Sequence, residues 1–391
     1  MTSSLLERCN FPLQDASNYR EAIALAFERV IASGQVILSG GVQAFEEAFA
    51  AWLGDGFTAE HCVGVGNGTD ALELALRCAG VTPGDGVIVP SFTAYATVAS
   101  LLRIGAVPHF ADVAPSRPVI CPLEVERLLA GRHSTRRIRA VIAVHLYGEA
   151  CDLRSLRDIC DHRSVALIED CAQATGTMYE GGSIGTWGDF ASFSFYPTKN
   201  LAALGDGGML VLGRQSDLSR LRTARRLRTY GWNREREAVE FGVNSRLDEV
   251  QAWILWAKLK DLSKSISARR SLAGRYRDLI GPWAGQEGIS LPGDGINWKH
   301  SYHLYVITVH PMVRTNILSR GVADGIPYAV HYPLACHQQA YIAQRLEATP
   351  VHLPHTERLA ASVLSLPLNP YLTEQDVQAV SSHLHALVSV V

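Results

Sequence analysis

Lys199 stands within SFSFYPTKNLAALGDGG, residues 192–208, between an apolar run and the glycine-rich turn Gly205-Asp206-Gly207-Gly208. A surface lysine ordinarily sits among polar neighbours on a helix, and this one does not. An amine held against backbone in a partly dry setting loses its proton readily and can condense with an aldehyde to a Schiff base. Twenty-nine positions upstream, Asp170 closes a second apolar run, VALIED, and is followed by Cys171-Ala172-Gln173. A carboxylate ahead of a reactive lysine suits a pyridine ring, because an acidic partner keeps the ring nitrogen protonated and able to absorb carbanion charge. The pair points to pyridoxal phosphate. Taken singly, Asp170 is more simply a strand-end cap or a metal ligand, and Lys199 a surface charge. Together with Ser194 and the glycine turn, the spacing favours a site.

A phosphate needs its own cradle. Asn67-Gly68-Thr69-Asp70 opens the helical pattern ALELALRCAG, and a glycine turn there offers free N–H groups at the positive end of a helix dipole. The competing reading is a capping box from Asp70 to Glu73, which needs no ligand. Gly64-Val65-Gly66 raises a dinucleotide fingerprint, but Thr69 holds the third glycine position and no strand of convincing length precedes it. The arginines at 220, 222, 225, 226, 228, 234 and 236 read first as a solvated helix face, with one or two free to meet a nucleotide diphosphate. A nucleic-acid face is the third reading. His331, in Ala329-Val330-His331-Tyr332-Pro333, and His337 read as structural or rim residues, with substrate contact open to His331.

The elements that must carry these groups follow from periodicity. Residues 18–33 place Tyr19, Ile23, Phe27 and Val30 at helical spacing, and Val42, Phe45, Phe49 and Trp52 form a second stripe. Strands are expected at 86–90, 106–110, 139–145, 165–170, 190–195 and 208–213, with helical stretches such as Ala71–Cys78 and Leu153–His162 between several of them. Continuous apolar runs of this length suit strands buried on both faces of a mostly parallel sheet, an α/β layered architecture. In SRLDEVQAWILWAKLKDL, Leu247, Val250, Ile254 and Ala257 form one stripe and Leu255, Leu259 and Leu262 another. A helix apolar on two faces packs on two sides, within the domain or across a subunit boundary. From about 265 the pattern is α+β, with a strand at Tyr302–Val309, a helix near Val313–Arg320 and a last helix from Thr373. The division expected is a large domain over 1–260 and a small C-terminal α+β domain over 261–391.

Composition narrows the class. The 391 residues are 47% hydrophobic and 19% charged with a net charge of -2, a balance that exerts no global pull on nucleic acid or anionic lipid. The eight cysteines form no CxxC pair and no metal-ligand spacing with histidine, which suits reduced thiols in a cytoplasmic enzyme and no metal. No basic-then-apolar leader opens the chain, and no run approaches the roughly 18 apolar residues of a membrane span.

Taken together the motifs resemble the DegT/DnrJ/StrS family of nucleotide-sugar aminotransferases, of the aspartate-aminotransferase fold (fold type I). The likeness covers nearly the whole chain: GNGTDALELAL, VIVPSFTAYATVAS, VHLYGEACDL, IEDCAQATG, FSFYPTKNLAALGDGG, LRTYGW, GVNSRLDEVQA, YHLYV, and VHYPLACHQQAY followed by LSLPL. The resemblance implies that Lys199 forms the Schiff base with pyridoxal 5'-phosphate and that Asp170 pairs with its ring nitrogen. It places Gln173 against the ring or its phenolic oxygen, and Gly68, Thr69 and Ser194 at the phosphate. Asn244 matches a position that reaches the phosphate from the neighbouring subunit, so a homodimer with shared active sites is implied. Tyr95, Arg228 and His331 are the expected substrate contacts.

Three positions depart from the family pattern. Ala94, followed by Tyr95, replaces an aromatic residue often found after PSFT, Thr175 replaces a histidine, and Ala202 replaces a glycine. None removes a catalytic group. Relatives with histidine in place of the lysine are dehydratases, and the retained Lys199 argues against that activity. The expected reaction moves an amino group from L-glutamate or L-glutamine to a nucleotide-linked ketosugar, as in natural-product or surface-glycan aminosugar biosynthesis. The alternatives are a keto-cyclitol acceptor, a cofactor-binding regulator that contacts DNA through the arginine segment, and a nicotinamide oxidoreductase.

Overall fold

The computed structural model describes residues 4–131, 137–213, 217–346 and 351–389. Helices α1 (Leu5–Cys9), α2 (Phe11–Asn18), α3 (Arg20–Ser33) and α4 (Gly40–Leu53) lead into strand β1 (Cys62–Val65). An alternating series follows: α5 (Gly68–Cys78), β2 (Gly86–Pro90), α6 (Tyr95–Arg103), β3 (Val107–Ala111), α7 (Pro122–Ala130), β4 (Ile138–Val144), α8 (Leu153–Arg163) and β5 (Ala166–Asp170). The short strands β6 (Met178–Tyr179) and β7 (Gly182–Ser183) precede β8 (Phe190–Ser194), β9 (Gly208–Leu212) and α9 (Leu218–Leu227).

These strands, apart from β6 and β7, make one seven-stranded sheet in the order β1-β9-β8-β5-β4-β2-β3. Only β9 runs against its neighbours: it pairs antiparallel with both β8 and β1, while the remaining pairings are parallel. All six expected strands form, each within about a residue of its expected ends. The seventh, β1, lies before Gly68, where no convincing strand was expected. Its four residues are all buried, and pairing with β9 compensates for the shortness that hides it in the sequence.

Helices cover both faces, as the apolar runs require. Phe45 and Phe49 of α4, Leu156 and Cys160 of α8 and Leu255 of α10 (Glu249–Leu259) pack on one face with Phe193 and Phe195. Leu74 of α5, Leu101 of α6 and Leu227 of α9 pack on the other with Val87, Val89 and Ile142. Within this chain α10 packs against both α4 and α3. On α3 itself only Ala26 is buried; Leu25, Phe27 and Ile31 stay exposed.

The chain then runs through α11 (Leu262–Ala284), β10 (Trp298–Lys299), β11 (Tyr305–Thr308), α12 (Pro311–Asp324), α13 (Ala340–Leu346), α14 (Pro354–Ser362), β12 (Val363–Leu366) and α15 (Glu374–Val388). Antiparallel β11 and β12 anchor a third apolar cluster with Tyr276 and Ile280 of α11, Ile317 of α12 and Val377, Val380 and Leu384 of α15. The N-terminal helices join this last cluster: Leu5 and Cys9 pack on it, and the Arg8 guanidinium donates to Asp376 at 3.0 Å. Strand β10 crosses back to pair with β6. Among the described residues no helix is long and apolar enough to cross a membrane.

Candidate active site

Parallel strands expose their carboxyl ends along one edge, and in open α/β sheets that edge is where ligands sit. Asp170 is the last residue of β5 and Ser194 the last of β8. Side chains alternate across a strand, so Glu169 and Asp170 face opposite ways. Glu169 turns away from the edge and accepts backbone N–H groups from Gly185, Trp187 and Gly188 at 2.7–2.8 Å, with His145 at 3.1 Å. Those donors keep it a carboxylate despite its burial. Asp170 turns into a cavity of about 240 Å³ lined by Asn67, Gly68, Thr69, Thr93, Ala94, Thr97, Gln173, Ser194, Tyr196, Lys199 and Asp206, among others.

The Asp170 carboxylate is held by two donors. The Thr97 hydroxyl reaches Oδ2 at 2.8 Å and the Ala172 N–H reaches Oδ1 at 3.1 Å. Burial pushes its pKa up, and these bonds, with Lys199 nearby, oppose that rise.

Lys199 is presented by a loop fastened to itself. Its N–H bonds the Tyr196 carbonyl at 2.8 Å, Ala203 N–H bonds Phe195 at 2.7 Å, and the Asn200 amide donates to the Thr175 carbonyl at 3.0 Å. Leu201, Ala202 and Ala203 are buried beneath. A buried lysine elsewhere shows what sets the half-buried Lys199 apart: Lys258 is paired with Asp15 and donates to the Ala202 carbonyl at 2.8 Å. At Lys199, burial lowers the ammonium pKa to about 8, only partly opposed by the Asp170 charge. At pH 7 about a tenth of such an amine is neutral, against less than about a thousandth of an ordinary lysine. Capture of a small aldehyde by Lys199 should therefore rise with pH and level off a little above 8, as measured by borohydride trapping and peptide mapping. A rise that continues past 10 would mark an ordinary exposed amine.

The opposite wall is the N-terminus of α5. Asn67 caps it by accepting the Asp70 N–H at 2.9 Å. The Asp70–Glu73 capping box is not formed; those carboxylates pair with Arg103 and Arg77 at 2.7–2.8 Å. The Gly68 and Thr69 end of the helix is thus left to the cavity. Glycine is a steric requirement here: a Cβ on Gly68 would lie 2.7 Å from Ser194 Cβ, and one on Gly208 would lie 2.4 Å from the Asn67 carbonyl carbon. The close approach of β8, β9 and α5 makes a narrow cradle of backbone N–H and hydroxyl groups, suited to a phosphate.

Gln173 is fixed at both ends, its Oε1 accepting the Tyr147 N–H and its Nε2 donating to the Tyr332 hydroxyl, each at 2.9 Å. Tyr332 brings the 331–332 segment against the cavity, and the Tyr147 hydroxyl donates to the His331 carbonyl. His331 Nδ1 lies 2.8 Å from Ser365 Oγ, and burial together with the Lys199 charge lowers its pKa.

Six of the expected residues, Gly68, Thr69, Asp170, Gln173, Ser194 and Lys199, therefore line one cavity. Tyr95, 40% exposed, begins α6 beside the lining residues Ala94 and Ala96. Arg228, expected at substrate, lies elsewhere. It donates to Glu46 at 3.1 Å and to the Gly64 carbonyl at 2.6 Å, beside a separate cleft of about 640 Å³. Arg225 also turns in to Glu46, at 3.0 Å, so these two arginines are not the solvated face their density suggested. The reason is Glu46, a buried acid on α4 that requires cationic partners. Asn244 is exposed, opposite Thr229, and does not line the cavity of its own chain.

Thr97, Tyr147 and Tyr332 were missed by sequence reasoning. Tyr332 adjoins a residue already singled out, but nothing in the spacing of Thr97 or Tyr147 announces its partner. The cluster His145, Glu169 and Cys171, whose ligand atoms lie within 4.8 Å of one another, does not read as a metal centre. Glu169 is saturated by the three N–H groups, and His145 Nδ1 accepts the Cys151 N–H at 3.1 Å.

The family model of the DegT/DnrJ/EryC1/StrS aminotransferases matches residues 17–385. A dTDP-3-amino-3,4,6-trideoxy-alpha-D-glucose transaminase of Micromonospora megalomicea subsp. nigra is 40% identical over 356 residues, 90% of this chain and 91% of that protein. The solved structure of S. venezuelae DesV in complex with a ketimine intermediate superposes with a TM-score of 0.88 at 36% identity, covering 97% of this chain and 98% of that one. NtdA of Bacillus subtilis, solved with bound cofactor PMP, gives a TM-score of 0.86 at 26% identity, covering 98% of this chain and 84% of that one.

Proposed function

The chain belongs to the DegT/DnrJ/EryC1/StrS aminotransferase family, and on that premise we propose that it is a pyridoxal-phosphate-dependent sugar aminotransferase. It takes an amino group from L-glutamate or L-glutamine and places it on carbon 3 of a nucleotide-linked keto-deoxysugar, in aminosugar biosynthesis. One observation carries the reading: a lysine lowered by burial to about 8 shares a cavity with a buried, doubly hydrogen-bonded aspartate and a glycine cradle. The choice of carbon 3 follows the 3-amino product in the Micromonospora relative's name.

The residues present fit the cofactor. Gly68, Thr69 and Ser194 would hold its phosphate, Asp170 its ring nitrogen, Gln173 its phenolic side and Lys199 its aldehyde carbon. When bound, pyridoxal phosphate supplies an aldehyde that condenses with amines and a ring that accepts the electron pair left by a departing proton. Lys199 would carry that proton as general base and then general acid, for which a pKa near 8 is suited. Asp170 keeps the ring nitrogen charged. Gln173, fixed between Tyr147 and Tyr332, would orient the ring, and His331 and Tyr95 would contact the substrate.

The test is to give the purified protein glutamate or glutamine with 3-keto and 4-keto deoxysugar nucleotides and a free keto-inositol, and to identify the aminated product by NMR. Amination of the 3-keto nucleotide is expected. Amination of the keto-inositol alone would replace this reading with the cyclitol one.

The active unit is a homodimer with shared sites. Exposed Leu25, Phe27, Ile31, Val36 and Phe241 supply apolar surface for a second copy, and Asn244, which does not line its own cavity, is free to reach the partner's phosphate. Mixing Lys199→Ala with Asn244→Ala subunits should then restore about a quarter of native activity, since half the dimers regain one intact site. Activity staying at the sum of the two variants would count against sharing. The domain division near residue 260 is supported by a separate apolar cluster whose buried members, from Leu272 to Val388, all follow it. Eight free thiols support a cytoplasmic setting.

A further inference from the structure

Asp170 is buried, and its usefulness depends on staying charged and aimed at the cavity. Two hydroxyls, those of Thr93 and Thr97, stand beside it, and both residues also line the cavity. Thr97, in the first turn of α6 and only 1% exposed, gives its proton to Asp170 Oδ2 at 2.8 Å. That hydroxyl has one proton, so its 3.0 Å contact with Thr93 Oγ1 has Thr93 as the donor. Thr93→Thr97→Asp170 is therefore a directed chain, and the Ala172 N–H occupies the other carboxylate oxygen at 3.1 Å. The Thr97 backbone is itself tied down, its carbonyl accepting Ser100 Oγ at 2.7 Å. The positive end of α6 lies on the same side as the carboxylate, which favours the anion further.

We propose that Thr97 is a positioning residue that keeps Asp170 ionised and in one rotamer facing the cofactor ring, with Thr93 orienting the Thr97 hydroxyl. The proposal rests on the aminotransferase reading of the cavity. Its physical basis is that a buried carboxylate deprived of a donor either takes up a proton or turns toward another partner, and a protonated acid cannot hold a cationic ring nitrogen. Lysine cannot substitute for that donor, because Lys199 is needed at the carbon being transformed.

The experiment compares Thr97→Val, which keeps the branched shape and removes the donor, with Thr97→Ser, which keeps the donor. Pyridoxal phosphate is titrated into the cofactor-free protein by absorbance, and kcat and KM are measured on the reconstituted enzyme. Thr97→Val is expected to weaken cofactor binding and lower kcat about tenfold or more each, the loss typical of a hydrogen bond to a charged group, with KM for the amino donor unchanged. Thr97→Ser should recover most of both. Native cofactor affinity and kcat in Thr97→Val, alongside a failing Asp170→Asn, would overturn the role of Thr97 while leaving the aminotransferase reading intact. Equal losses in both Thr97 variants, accompanied by a lowered melting temperature, would overturn it too, as a packing effect. If Asp170→Asn also behaves as native, the reading of the cavity itself fails.

Discussion

Lys199→Ala is expected to stop amino transfer, with kcat falling by more than about 10³-fold, the scale on which a positioned acid–base group contributes. The substitution removes two functions at once. No amine remains to join the aldehyde, and no base remains to move the proton. It should leave the phosphate cradle intact, because Gly68, Thr69 and Ser194 belong to α5 and β8 and draw no support from the Lys199 side chain. The variant is therefore expected to bind pyridoxal phosphate without becoming covalently labelled on borohydride reduction, as measured by peptide mapping of residue 199. Turnover at the native rate would show that another amine serves, and Lys258 is a poor candidate because it is paired with Asp15.

Asp170→Asn should be the second most damaging change. The amide preserves the shape of the side chain but has a single acceptor oxygen, so it keeps only one of the bonds from Thr97 and Ala172; the cavity is expected to keep its form and, with weakened affinity, its cofactor. What it loses is the negative charge opposite the ring nitrogen. A neutral ring absorbs carbanion charge poorly, and removing one preorganised electrostatic partner of this kind costs about 10²–10³ in kcat. Gel filtration followed by cofactor absorbance separates loss of binding from loss of rate. Retained cofactor with kcat reduced a hundredfold or more is the expected pair of results; an unchanged kcat would remove Asp170 from the chemistry.

Arg228 illustrates how a plausible sequence reading can miss. Charge density from 220 to 236 suggested solvent or a diphosphate, yet Arg225 and Arg228 turn inward because Glu46 is buried beside them. Nothing near Arg228 in the chain announces Glu46, 182 positions away. The same distance rule separates the parts of the active site that were legible from those that were not. Asp170 ends a recognisable apolar run, Lys199 lies between another and a glycine turn, and Gly68 opens a recognisable helix, so each carries a local signature. Thr97 meets Asp170 across 73 positions and Tyr332 meets Gln173 across 159, and neither contact has one.

What the amino-acid sequence determined by itself was the set of elements and the residues at their ends. Buried parallel strands must be continuously apolar, helices must repeat at 3.6, and chemistry-bearing groups sit where strands stop. The strand order, the inward turn of Arg228, the outward position of Asn244 and the hydroxyl chain behind Asp170 were decided only by tertiary structure. Those depend on which surfaces meet after the chain has folded, and short-range pattern carries no information about pairings between elements so far apart along the chain.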